Sequence, residues 1–129
     1  MAAAARLCDD CRVATVVIVD DHPAFRASAR RMLEHDGFDV VGEAGDGASG
    51  IALTRDLDPD VVLLDVALPD VSGFDVAERL RADRSEVVLI SSHDETDLGA
   101  RIHTVGARAF IPKEQLSSAA VRALLSDTA

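Results

Sequence analysis

Five apolar, largely β-branched runs alternate with five stretches of helical periodicity, and this alternation limits the fold more than any other feature. Thr15-Val16-Val17-Ile18-Val19 is unbroken, as a strand buried on both faces requires. Residues 23–35 set Phe25, Ala29, Met32 and Leu33 at i, i+4, i+7 and i+8, one stripe of a helix. Pro23 suits its first turn and Gly37 its stop. Phe38 to Ala44 predicts a second strand, and 47–57 a helix with Ile51, Ala52 and Arg55 along one face. Asp60 to Asp65 reads as the third strand through Val61, Val62, Leu63 and Leu64. Ser72-Gly73-Phe74-Asp75 then starts a helix running to about Ala82, with Ser capping and Asp three residues on. Glu86 to Ser91 is a fourth strand, and 95–105 a helix through Leu98, Ile102 and Val105, closed by Gly106. Ala107 to Ile111 is a short fifth strand, and 115–126 a last amphipathic helix through Leu116, Ala120, Ala123 and Leu124.

Strict alternation of this kind predicts an α/β fold: an open, doubly wound, five-stranded parallel sheet with five helices on both faces. An eight-fold barrel would need about twice the chain's 129 residues. The pattern divides the chain into an N-terminal tail (1–13), one domain (14–126) and a C-terminal tail (127–129). A hydrophobic fraction of 48% supplies a core without metal or disulfide staples. The formal net charge of -10 opposes direct contact with nucleic acid or an acidic membrane surface. No apolar run approaches the roughly 18 residues of a membrane span, and residues 1–13 carry no secretory pattern, so a cytoplasmic location is expected. Cys8 and Cys11 form a C-x-x-C with no second cysteine pair to complete a zinc site, and it precedes the first strand rather than a strand-to-helix turn. They read as incidental tail thiols.

In sheets of this class the ligand site lies outside the carboxyl ends of the strands. Those ends carry Asp20-Asp21, Asp65, Ser91-Ser92 and, after strand five, Pro112-Lys113. Lys113 is the only lysine among the 13 basic residues. Taken singly, each position has a plain explanation as a cap, a turn or a surface charge. Together they bring three carboxylates, a hydroxyl and an ammonium to one edge. Carboxylates so placed repel one another unless a cation joins them, and hard oxygen ligands with room for water describe Mg²⁺. His22 reads as a helix-start residue rather than a ligand. The chemistry permitted is phosphoryl transfer to a carboxylate, with an aspartate as nucleophile and a lysine and a serine binding phosphoryl oxygens.

At these residues the chain resembles the receiver domain of bacterial two-component response regulators. The resemblance rests on Val16-Val17-Ile18-Val19-Asp20-Asp21-His22-Pro23, Asp60-Val61-Val62-Leu63-Leu64-Asp65 with Leu68-Pro69 and Gly73, Leu89-Ile90-Ser91-Ser92, and Gly106-Ala107-Arg108-Ala109-Phe110-Ile111-Pro112-Lys113. The start and the Phe-Ile-Pro-Lys segment are most like receivers that precede a helix-turn-helix DNA-binding domain. It implies the flavodoxin-like strand order 2-1-3-4-5 and a set of roles. Asp65 would be the phosphoacceptor. Asp21, Asp65 and the Ala67 carbonyl would ligate Mg²⁺ directly, with Asp20 acting largely through water. Lys113 would pair with Asp65 and then with phosphoryl oxygens, Ser91 would bond one of those oxygens, and Phe110 would be a rotameric switch aromatic. Phe110 also reads as a plain core aromatic at a strand end. Ala67, Ser92 and His93 depart from the commonest pattern beside the phosphoryl group and would tune the lifetime of the phosphorylated form. The donor would be a phosphohistidine on a sensor kinase or phosphotransfer protein. Output would run through the surface of helix 95–105, strand 107–111 and helix 115–126, which could also form a homodimer, or through a surface near the first and last helices.

Two other readings compete. A Mg²⁺-dependent phosphohydrolase with an aspartyl-phosphate intermediate wants an acid/base carboxylate two residues after the nucleophile, where this chain has Ala67. A non-phosphorylated receiver-like interaction module predicts erosion of the acidic pair, Asp65 or Lys113, and all are present. With only Asp127-Thr128-Ala129 after the last helix, the expectation is either a free-standing receiver or one excised from a longer regulator. It is not expected to be an enzyme beyond its own phosphorylation and dephosphorylation.

Overall fold

The computed structural model describes residues 13–91 and 107–126. Within them a five-stranded parallel sheet runs in the order β2-β1-β3-β4-β5. Its strands are β1 (Thr15–Val19), β2 (Asp39–Ala44), β3 (Val61–Asp65), β4 (Glu86–Ser91) and β5 (Ala109–Pro112). The helices are α1 (Pro23–His35), α2 (Gly47–Leu57), α3 (Gly73–Arg79) and α4 (Ser118–Ser126), with a 3-10 turn at Lys113–Gln115. The predicted helix 95–105 and the tails 1–12 and 127–129 lie outside the described residues, as do Cys8 and Cys11.

Alternate residues of the central strands feed two separate cores, as the period of two demands. Val16, Ile18, Leu63, Val88 and Ile90 point to the face covered by Ala29 and Leu33 of α1 and Val121 of α4. Val17, Val19, Val62, Leu64 and Leu89 point to the face covered by Phe74, Val76 and Ala77 of α3, with Ile51 and Leu53 of α2 packed alongside. This is the doubly wound arrangement. Among the described residues no helix is long and apolar enough to cross a membrane.

The local signals act where expected. Pro23 opens α1, Gly37 follows its end at φ 98°, and Ser72 caps α3 by accepting the Phe74 N–H. Three helices differ in detail. α3 closes at Arg79 rather than near Ala82, with Leu80 turning its side chain into the core. The last helix begins at Ser118, because Lys113–Gln115 takes the tighter 3-10 form before it. It docks by Val121, fully buried, while Ala123 is exposed. In α2 the buried face is Gly47, Gly50 and Thr54, and Ala52 and Arg55 are exposed. The reason is close approach: a Cβ on Gly50 would stand 2.8 Å from a Val19 methyl, so the helix backbone itself packs on the sheet.

Candidate functional site

Parallel register brings the carboxyl ends of neighbouring strands level. Val19 pairs with Leu64, Asp65 with Ile90, and Ser91 with Pro112. Asp20, Asp65, Ser91 and Lys113 therefore cluster at one edge although they are scattered along the chain. Asp20 is fully buried and Asp65 is 3% exposed. Neither could stay ionised there without partners.

The partners are present. Lys113 Nζ stands 2.6 Å from Asp20 Oδ2 and 3.3 Å from Asp65 Oδ2. Asp65 Oδ1 accepts the Ala67 N–H at 3.1 Å. Asp20 Oδ1 accepts the His22 N–H at 2.8 Å, a local turn closed by the side chain. Arg26 on α1 donates to the Asp20 carbonyl, and its own guanidinium pairs with Glu43 of β2 at 3.2 Å. The Lys113 ammonium also lies 4.6 Å from the centroid of the Phe25 ring, within cation–π range.

Burial pushes the Asp65 carboxyl above its ordinary value. The Ala67 N–H opposes that shift, the charge of Asp20 adds to it, and Lys113 opposes it. Burial would lower the Lys113 ammonium, but the short contact with Asp20 and the charges of Asp65 and Asp20 outweigh it and hold Lys113 above its ordinary value. The pocket thus holds a carboxylate that is costly to ionise beside a lysine that stays protonated.

A divalent cation fits these residues. One ligand atom each from Asp20, Asp21, His22 and Asp65 lies within 4.8 Å of the others. Asp20 Oδ2 is buried and meets Lys113 Nζ at 2.6 Å, so a cation held there would share that carboxylate with the ammonium. Three carboxylates with an exposed rim at Asp21 are a hard donor set suited to Mg²⁺.

The structure brings together Asp20, Asp21, Asp65 and Lys113, with Ala67 joined through its N–H. Ser91 is buried at the end of β4. Phe110 is half-buried on β5 and packs against the second core. Ser92 and His93 lie outside the described residues. His22 does start α1, as its N-cap, yet its Nδ1 also lies 3.1 Å from an oxygen of Asp20 and one of Asp21. The signal for that contact was the Asp-x-His-Pro spacing, since Pro23 holds His22 extended and the Asp20 turn folds it back. The sequence reading also missed Phe25 under Lys113. Phe25 belongs to an ordinary core stripe, and nothing local marks its neighbour.

Known proteins share the family pattern of this sequence and its fold. The family model described as the response regulator receiver domain matches residues 16–125. The chain is 40% identical over 102 residues to the nitrate/nitrite response regulator protein NarP of Escherichia coli K12, covering 77% of this chain and 47% of that protein. It is 40% identical over 113 residues to the protein named NarL in Mycobacterium tuberculosis H37Rv, covering 85% and 52%. The chain thus spans about half the length of these curated relatives. The solved signal receiver domain of NarL from M. tuberculosis superposes with a TM-score of 0.81 at 37% identity, covering 89% of this chain and 95% of that one. A two-component response regulator of the LuxR family from Aurantimonas superposes with a TM-score of 0.80 at 27% identity, covering 89% and 84%.

Proposed function

The chain belongs to the response regulator receiver domain family, and from that premise we propose that it is the phosphoacceptor switch of a two-component phosphorelay. The observation that carries this reading is the placement of Asp65: buried, bonded to Ala67 N–H on one oxygen and facing Lys113 on the other. An Asp65 oxygen attacks the phosphorus of a phosphohistidine on a sensor kinase or phosphotransfer protein. The P–N bond breaks and the imidazole leaves with the electron pair. Mg²⁺, when bound, supplies positive charge against the phosphoryl oxygens. Asp20, Asp21 and Asp65 would hold it, with the Ala67 carbonyl. Lys113 exchanges its contact with Asp65 for a phosphoryl oxygen, and Ser91 donates its hydroxyl to another. Phe110 then repacks with Ser91, and the change reaches the surface around β5 and α4 that a partner, an output domain or a second copy reads. Ala67, Ser92 and His93 set how readily water reaches the phosphoryl group. The chain is a signalling component working in the cytoplasm, with no turnover of a metabolite.

The test is intact mass after incubation with acetyl phosphate and Mg²⁺. One phosphoryl increment is expected for the wild type, with none in Asp65→Asn or after chelation. A folded wild type that stays unmodified with both acetyl phosphate and a phosphorylated kinase would overturn the assignment and leave a non-phosphorylated interaction module.

A further inference from the structure

The loop that follows Asp65 is tied to α2 by a side chain outside the acidic cluster. The first N–H groups of a helix have no partner within it. In α2, Ser49 N–H donates to Asp46 Oδ1 at 2.7 Å, the usual local cap. Gly47 N–H and Ala48 N–H donate instead to the two oxygens of Asp70, at 2.8 and 3.0 Å. The positive end of the helix is thus satisfied by one local carboxylate and one from the loop between β3 and α3. Those two backbone bonds hold the Asp70 carboxyl below its ordinary value.

The contact is built for close approach. A Cβ on Gly47 would stand 2.1 Å from a Val71 methyl and 3.3 Å from Asp70 Oδ1, so only glycine lets the loop sit this near. The same loop closes on itself. Ala67 pairs with Ser72 in an antiparallel bridge, and Gly73 N–H donates to the Val66 carbonyl at 2.7 Å. Ala67 in turn donates to Asp65 Oδ1. Asp70 thus lies within a short segment closed between Ala67 and Ser72, whose Ala67 end is bonded to Asp65.

We propose that Asp70 is a positioning residue for the acidic pocket: its two bonds to the start of α2 hold the 66–72 loop so that the Ala67 backbone stays on Asp65. The proposal rests on the phosphoacceptor reading and deepens it. Asp70 touches neither the reacting carboxylate nor a candidate metal ligand and acts through Ala67.

The experiment compares Asp70→Ala, Asp70→Asn and Asp46→Ala in the full chain. Mg²⁺ affinity is read by calorimetry, and phosphorylation by acetyl phosphate at limiting and saturating Mg²⁺. Asp46→Ala removes a cap of the same helix without touching the loop, so it lowers Tm and leaves Mg²⁺ affinity unchanged. Asp70→Ala is expected to weaken Mg²⁺ roughly tenfold, the low end of what losing support around metal ligands costs, and to slow phosphorylation mainly at limiting Mg²⁺. Asp70→Asn keeps one accepting oxygen and falls between wild type and Ala; if the Ala variant does not fold, it decides alone. Unchanged affinity in the Asp70 variants, or equal losses in Asp46→Ala, would reduce Asp70 to a helix cap and overturn the proposal. A wild type that binds no Mg²⁺ is a different result: it removes the reading of the pocket itself, and the inference with it.

Discussion

The carbonyl oxygen of Asp65 lies 2.2 Å from where a Cβ on Gly73 would stand. The start of α3 therefore presses directly against the backbone of the candidate phosphoacceptor, and any side chain at Gly73 moves one or the other. Gly73→Ala is expected to cost about 1–3 kcal/mol in urea unfolding, the range for overpacking a filled site. The folded fraction is expected to phosphorylate more slowly than wild type, because the obstructed atom belongs to Asp65. Wild-type stability in the variant would mean that α3 shifts freely there.

Asp65 itself trades stability for charge. Burial holds its folded value above the ordinary carboxylate value. The folded state then binds its proton more tightly than the unfolded state. Stability is highest below the ordinary value, falls as pH rises toward the raised one, and stays reduced above it. Asp65→Asn is expected to raise Tm at pH 7 and to lose the advantage in acid. Thermal melts of both proteins across pH, with Mg²⁺ chelated, check this.

Lys113 works in the opposite sense. Its folded value is raised, so its stabilisation is present below the ordinary lysine value of 10.5 and is lost as pH rises through the folded value. Lys113→Ala is expected to cost roughly 1.5–3 kcal/mol without Mg²⁺, the range for hydrogen bonds to charged groups. The same change removes a positive charge beside the carboxylates, so Mg²⁺ binds more tightly to the variant and restores part of the loss. Urea unfolding with chelator and with Mg²⁺ separates the two effects. Weaker Mg²⁺ binding in the variant would contradict this account of the pocket.

The last helix gives a test of packing alone. Val121 is fully buried against the α1 face of the sheet, whereas Ala123 is exposed. Val121→Ala is expected to cost about 1–3 kcal/mol and Ala123→Ser to stay within about 0.5 kcal/mol. Denaturant midpoints decide it, and the reverse ranking would restore the stripe through Ala123.

The strands and most of the acidic pocket were legible in the sequence. Unbroken runs such as Val61-Val62-Leu63-Leu64 report burial on both faces of a sheet, and the residue that ends such a run falls at the ligand edge. Asp20, Asp65 and Lys113 could therefore be put in one place without coordinates. Helix ends were legible where one residue's own geometry sets them, as at Pro23, Gly37 and Ser72. The buried face of α2 was not, because periodicity counts side chains and Gly47 and Gly50 pack by lacking them. Nor was the choice of partners. Only the folded chain decided that Lys113 leans closer to Asp20 than to Asp65, that Phe25 lies beneath it, and that Asp70 reaches Gly47 and Ala48. The physical reason is one of range. A propensity or a cap is settled within a few residues of backbone. A contact such as Lys113 to Asp65, 48 residues apart, depends on strand register and on how each helix seats against the sheet.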